Sequence, residues 1–313
     1  MQRINFNQKM DAFYKHILVL LSIPIYALFI PFEVILSNYR HRKFYSWRET
    51  MMNVYLNALN TGIDLLLRLV IGLSVLYFFY QYHVSINWNP IAYWIVLLFA
   101  EDLCFWIEHF VDHRVRIFWA VHVTHHSSTE FNLSTGFRSS VLMPVYKYMY
   151  FIPLVLLGFK PLDAIFMYSV TQIYGILVHT QNIKKLPRWI EYIFVTPSHH
   201  RVHHASNVPY LDRNMGMTFI IWDRMFGTFT EEMPDEIPHY GITKPIENPN
   251  HPIHIITHEW KAIAKDVSKP IPLKDKLKYL FNPPGWSHDG STKTSKELQK
   301  EWRPLPSDHR NNV

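Results

Sequence analysis

Three histidine clusters constrain this chain more than any other feature: His109-Phe-Val-Asp-His113, His122-Val-Thr-His125-His126 and His200-Arg-Val-His203-His204. Residues three or four apart share one face of an α-helix. Each cluster therefore predicts a helical segment that aims two or three imidazoles the same way, and a fold in which the three segments converge. Neutral imidazole is the commonest metal ligand, with iron, copper and zinc among its usual partners. The eight clustered imidazoles exceed what one tetrahedral ion accepts and suit a pair of metals. Cys104 is the only cysteine, which excludes a thiolate zinc site. Neither H-x-x-H-H unit has Glu after its first His, so the H-E-x-x-H metalloprotease pattern is absent.

Apolar residues are spread unevenly, a pattern that the near-zero mean hydropathy conceals. Residues 17–36 carry a single charge, Glu33, and Arg68 is the only basic residue between Arg48 and Arg114. Apolar runs cover about 65–80 and 91–107, then about 148–159 and 162–178, the last two joined by Gly158-Phe-Lys160-Pro161. A bilayer core needs about 20 apolar residues in a helix. Residues 17–36 meet this outright, and the shorter runs read as tilted spans or paired half-depth helices, four to five spans in all. The first run lacks the short core and cleavage pattern of a secretory signal. Arg40, Arg42, Lys43 and Arg48 crowd the loop after it, which places that loop in the cytosol, while residues 81–90 hold no Lys or Arg and face away. The clustered histidines then all emerge at the cytosolic face.

The expected fold is all-α: an integral membrane helical bundle with a cytosolic helical cap carrying a histidine-rich di-metal site. Its expected divisions are an N-terminal anchor and basic loop (1–60), a membrane-embedded catalytic domain (61–232) and a polar cytosolic region (233–313), whose tail from about 268 is expected to be loosely packed. The net charge of +6 fits a membrane surface. The basic residues are dispersed and no recognition motif accompanies them, so no nucleic-acid partner is expected.

Two irons held by neutral imidazoles can bind and reduce O2 to an oxidant able to attack an unactivated C–H bond. A shielded site at the mouth of a bundle would admit a lipid chain directly from the bilayer. Carboxylates orient metal-bound imidazoles through their second nitrogen, and Glu101, Asp102, Asp112 and Glu130 are the candidates near the clusters. His179, at the end of an apolar run, is a candidate ninth ligand. His199 adjoins His200, and successive helical residues point about 100° apart, so it is an accessory position.

The words around the clusters are Glu101-Asp102-Leu-Cys104, His126-Ser-Ser-Thr-Glu130-Phe-Asn132, Thr196-Pro-Ser-His-His200, Asn214-Met-Gly216 and Ile221-Trp-Asp-Arg-Met-Phe226. Over about residues 95–232 the chain resembles the fatty acid hydroxylase superfamily, also called the sterol desaturase family, and within it the alkylglycerol monooxygenase branch. The resemblance implies a membrane enzyme with two iron ions. It would use O2 and tetrahydrobiopterin or another external electron donor to hydroxylate the ether-linked carbon of a glyceryl ether lipid drawn from the bilayer. Carried over by position, the eight boxed histidines become iron ligands, with His179 a further one. Ala205 stands where that branch is expected to carry Gly. The alternatives are a hydroxylase or desaturase of sterols, fatty acyl chains or aminolipids, and a non-catalytic membrane metal-binding protein. The membrane would be the inner membrane of a bacterium or the endoplasmic reticulum of a eukaryote.

Overall fold

The structure, a computed structural model, describes residues 24–303. The apolar run 17–36 lies partly outside them; within them a helix, α1, covers 24–39. Next come α2 (Trp47–Leu67), a π-helical segment (Arg68–Gly72) and α3 (Leu73–Tyr80), which are continuous with one another. Ser46 opens α2 by accepting from the Glu49 N–H, as N-capping requires. The division expected at residue 60 falls inside this long helix. α4 (Pro90–Arg114) starts at Asn89, whose side chain accepts from the Ile91 and Ala92 N–H groups, with Pro90 in the first turn. Val115 breaks the helical path with extended backbone, and α5 (Arg116–His126) begins immediately after it and packs on α4.

Three 3₁₀ segments (Leu133–Phe137, Met143–Val145 and Lys147–Phe151) lead to α6 (Ile152–Leu156), α7 (Pro161–Leu177), α8 (Arg188–Ile193) and α9 (Pro197–His203), and a further one, Val208–Tyr210, precedes α10 (Ile221–Phe226). α11 (Pro252–Val267), α12 (Leu273–Phe281) and α13 (Ser295–Glu301) close the described chain. Among the described residues the only β features are two isolated bridges, Phe194 with Phe219 and Ala205 with Tyr240, so the all-helical expectation holds.

Among the described residues two helices are long and apolar enough to cross a bilayer, Trp47–Tyr80 and α4. The runs expected over 148–159 and 162–178 form shorter pieces, Lys147–Leu156 and α7. Leu28, Phe32, Ile35, Leu66, Val70, Phe78, Ile91 and Ile95 point outward along α1 to α4. An apolar surface of this extent is costly in water and suits hydrocarbon. Inside, Leu76, Leu97, Phe151, Leu154, Phe159 and Ala164 form the bundle core, and Gly72 approaches the Tyr148 ring so closely that a Cβ would stand 2.8 Å from it.

The region after residue 233 packs on the rest, and within the tail expected to be loose from about 268 the chain forms α12 and α13 and buries Tyr279. Ile255 joins Leu56 and Val141 in a second core. Arg116 on α5 donates to Glu259 and to Asp266, each at 2.7 Å, and its guanidinium lies 5.7 Å from the Tyr279 ring centre. The polar composition concealed this because the helices dock through one buried arginine and a few apolar side chains rather than through a wide apolar face.

Candidate metal centre

α4, α5 and α9, with the end of α7, present nine buried or partly buried imidazoles to one interior point, and they divide into two groups. His109, His113, His122, His126 and His203 form one; His125, His179, His200 and His204 form the other. Within each group the potential ligand atoms all lie within 4.8 Å of one another. The helical spacing explains the division. His109 and His113 lie one turn apart on α4, as do His122 and His126 on α5, whereas His125 turns to the second group. His203 and His204 likewise diverge at the end of α9, and the stacked His126 and His204 rings, 4.5 Å apart, link the groups.

Hydrogen bonding fixes which nitrogen faces inward. Nδ1 of His109 donates to the Met215 carbonyl at 2.8 Å, that of His125 to Arg138 at 3.0 Å, that of His179 to Gly175 at 2.7 Å and that of His203 to Arg213 at 2.9 Å. A carbonyl accepts only from an N–H, so in these four rings the proton sits on Nδ1 and the Nε2 lone pair points into the cluster. The His113 Nδ1 lies 3.3 Å from Asp212 Oδ1, which does the same for a fifth ring.

The inward nitrogens crowd one another. Nε2 of His122 is 3.0 Å from that of His109 and 3.2 Å from that of His126. Nε2 of His179 is 2.9 Å from that of His200 and 3.2 Å from that of His204. Where both nitrogens of such a pair are unprotonated their lone pairs repel, and Nε2 of His113 and of His203 has no hydrogen-bond partner; an unmet buried polar atom costs about 1–3 kcal/mol. A shared cation removes both penalties. Two nitrogens each about 2.1 Å from one ion and at right angles lie about 3 Å apart, the spacing of a ligand pair. The residues present therefore fit a metal in each group. Burial and the surrounding imidazoles hold His122, His126, His200 and His204 well below the ordinary histidine value, and burial lowers His125 to about 4. All five are neutral at pH 7, the form in which imidazole binds metal.

The candidate orienting groups fall out differently. Asp112 lies beside the cluster, its Oδ2 3.7 Å from His122 Nδ1 and its Oδ1 accepting from the Tyr146 hydroxyl at 2.9 Å. Asp102 is taken up by the loop after the third cluster, accepting from the Thr218 and Phe219 N–H groups and the Trp222 indole. Glu130 accepts from the Ser46 N–H and the Asn132 amide, and Glu101 is buried on α4 with no imidazole against it. His199 stands outside both groups, 3.2 Å from Glu191, and reaches back to the N-terminus of α9. The sequence reading missed Asp212, Asp223 and Arg138. Asp223 accepts from the Met215 and Gly216 N–H groups at 2.7 and 2.8 Å, fixing the carbonyl that holds His109. Arg138 is fully buried and bonds Glu49, Asn53 and Ser127. Only Asp223 stood in a quoted word; nothing local marked the other two.

The family model for fatty acid hydroxylase matches residues 94–228, a stretch that holds all nine imidazoles. The chain carries a fatty acid hydroxylase domain. It is 32% identical over 251 residues to alkylglycerol monooxygenase of Xenopus tropicalis, covering 77% of this chain and 55% of that one. Human alkylglycerol monooxygenase is 35% identical over 214 residues, covering 68% and 47%. Ornithine lipid hydroxylase OlsE of Rhizobium tropici is 29% identical over 167 residues, covering 52% and 50%. The chain thus spans about half the length of the curated relatives it matches, and no solved structure matches it. Within the fatty acid hydroxylase domain lie α4, the two histidine-bearing helices α5 and α9, and the Asp223 loop; α11 to α13 lie outside it.

Proposed function

We propose that this chain is a multi-pass membrane oxidoreductase, a di-iron, O2-dependent lipid monooxygenase whose substrate is the ether-linked carbon of an alkylglycerol lipid. The observation that carries the chemistry is the two-group imidazole cluster, in which four backbone carbonyls turn Nε2 lone pairs inward. Nine imidazoles, those of His109, His113, His122, His125, His126, His179, His200, His203 and His204, hold the metals. Bound iron supplies the reductive activation of O2. The overall reaction consumes the lipid, O2, two electrons and two protons and yields the hydroxylated lipid and water; on an ether carbon the product is a hemiacetal that separates into aldehyde and glycerol. The substrate class rests on the relatives named alkylglycerol monooxygenase. The likeness to an ornithine lipid hydroxylase makes an aminolipid the second reading.

The protein's own part is placement and shielding. Backbone carbonyls fix the imidazole tautomers, Phe131 and Tyr240 stack across the second group, and the outward apolar residues of α1 to α4 set the bundle in the bilayer. The basic residues after α1 put the metal centre on the cytosolic side. The fatty acid hydroxylase-like region provides the centre, and the C-terminal region caps it. The electron donor is external, tetrahydrobiopterin or another reductant.

The test is metal analysis of the purified protein together with lipid analysis of cells expressing the wild type or His203→Ala, with and without O2. Two irons per chain and O2-dependent loss of alkylglycerols with aldehyde release are expected. A lipid that gains one oxygen elsewhere moves the substrate to the second reading. A His203→Ala protein with full turnover refutes the ligand set.

A further inference from the structure

A cavity of about 120 Å³ reaches the metal centre, and no residue of α1 to α3 lines it. Its floor is four imidazoles, His113, His126 and His203 of the first group and His204 of the second. Apart from those and Trp119, its walls come entirely from chain after the third cluster: Ser206 and Leu211–Asp212, then Gly241–Thr243, Pro284–Gly285, Lys293 and the inner face of α13 at Ser295 and Leu298. Thr243 and Lys293 are exposed, so the cavity opens to the aqueous side. Most of that wall lies beyond residue 228, where the fatty acid hydroxylase match ends.

Three properties set what the cavity accepts. Its volume holds a handful of water-sized molecules. Its lining mixes hydroxyls and a carboxylate with Leu211, Ile242 and Leu298, a wetted surface rather than a hydrocarbon tube. Its position at the cap puts it away from α1 to α3, whose apolar faces would meet a chain arriving from the bilayer. The turn that shapes one wall is held tightly: Gly285 has φ +85°, and a Cβ there would stand 2.2 Å from the Lys293 carbonyl. α13 is tied to the loop below by Gln299, which donates to the Leu211 carbonyl at 2.7 Å.

We propose that this cavity is an aqueous port and binding site for small water-soluble ligands of the metal centre, water and triatomic anions among them, separate from the route of the lipid. The proposal rests on the metal reading above. In it, α13 and the 241–243 segment are specificity elements contributed by the C-terminal region: they set the size of what reaches the four floor imidazoles from water.

The experiment follows azide binding to the iron-loaded, full-length protein by stopped-flow absorbance. Leu298→Trp and Ile242→Trp narrow the port from two independent walls, so a variant that fails to fold leaves the other to decide. Each should slow azide association by about tenfold or more, with iron content and the KM for lipid unchanged. Azide association at the wild-type rate in both iron-replete variants overturns the port. So does a raised lipid KM with an unchanged azide rate, since the cavity would then belong to the lipid. A wild-type protein that binds no iron overturns the metal reading itself and the port with it, and the iron content, measured separately, tells the two failures apart.

Discussion

Asp223 tests whether the backbone, rather than a carboxylate, holds the imidazoles in place. Its side chain is fully buried and accepts from Met215 N–H at 2.7 Å, Gly216 N–H at 2.8 Å, the Thr228 hydroxyl at 2.5 Å and the Trp106 indole at 3.2 Å. Burial raises its pKa, yet all four contacts are donors, so it serves as an acceptor. Truncation to Ala strands buried donors at about 1–3 kcal/mol each before relaxation. Because such losses are not additive, about 3–5 kcal/mol is the expected destabilisation. Asp223→Asn keeps one acceptor oxygen and should lose about half of that. The affinity effect is separate: Met215 is the acceptor for His109 Nδ1, and loosening such a partner costs about 10–100-fold in metal affinity. Asp102→Ala is the control. It also strands three donors, at Thr218, Phe219 and Trp222, but none of them carries a carbonyl that meets an imidazole. Thermal unfolding of the metal-free proteins reads stability, and iron titration reads affinity. Equal affinity losses in Asp223→Asn and Asp102→Ala, or a destabilised Asp223→Asn with wild-type affinity, would refute the argument.

His203→Ala should leave the first group one ligand short, lowering iron content and removing turnover by at least about 10³-fold while the protein still inserts; metal analysis and lipid turnover read both. Asp212→Asn weakens the acceptor beside His113 and should cost about 10-fold in iron affinity with little change in melting temperature. Leu97→Ala removes a fully buried side chain of the bundle core and should cost about 2–5 kcal/mol with iron stoichiometry unchanged, seen as a lower melting temperature at full metal content. Arg116→Ala removes both ion pairs that dock α11 on α5 and should cost about 1–3 kcal/mol, with faster proteolysis between α11 and α13 as the readout.

The convergence of the imidazoles was legible because it is written in local periodicity. A helix places residues three and four apart on one face regardless of what packs on it, so the imidazoles of α4, α5 and α9 point together once those helices form. His125 shows how fine that code is: one residue from His126, it turns into the other group. The bundle was legible in part. The apolar runs marked the helices, but the run about 65–80 proved to be the end of a helix that starts at Trp47, because its polar first turns face the cap. There Glu49 and Asn53 bind Arg138, and Asn57, Asn60 and Asp64 bind Ser139, Ser140 and Lys147, long-range contacts that a local hydropathy pattern does not carry.

The orienting groups were not legible, for a reason that the geometry makes specific. Nearness in sequence put Glu101, Asp102 and Glu130 beside the clusters, yet an imidazole's partner must lie behind the ring, on whichever element packs there. In four of nine rings that element offers a carbonyl, from Gly175, Arg138, Arg213 or Met215, and every residue has a carbonyl, so no residue type announces it. The side chains that specify the site act one step further out. Asp223 holds the Met215 and Gly216 backbone, and Asp102 holds Thr218 and Phe219 on the same loop. Both acids are buried because backbone N–H groups satisfy them. A shell of neutral carbonyls also leaves the imidazoles less electron-rich than carboxylate partners would. The same imidazoles backed by aspartates would give a bound metal a different reduction potential, which makes the loop from Arg213 to Phe219 as much a part of the proposed chemistry as the histidines it holds.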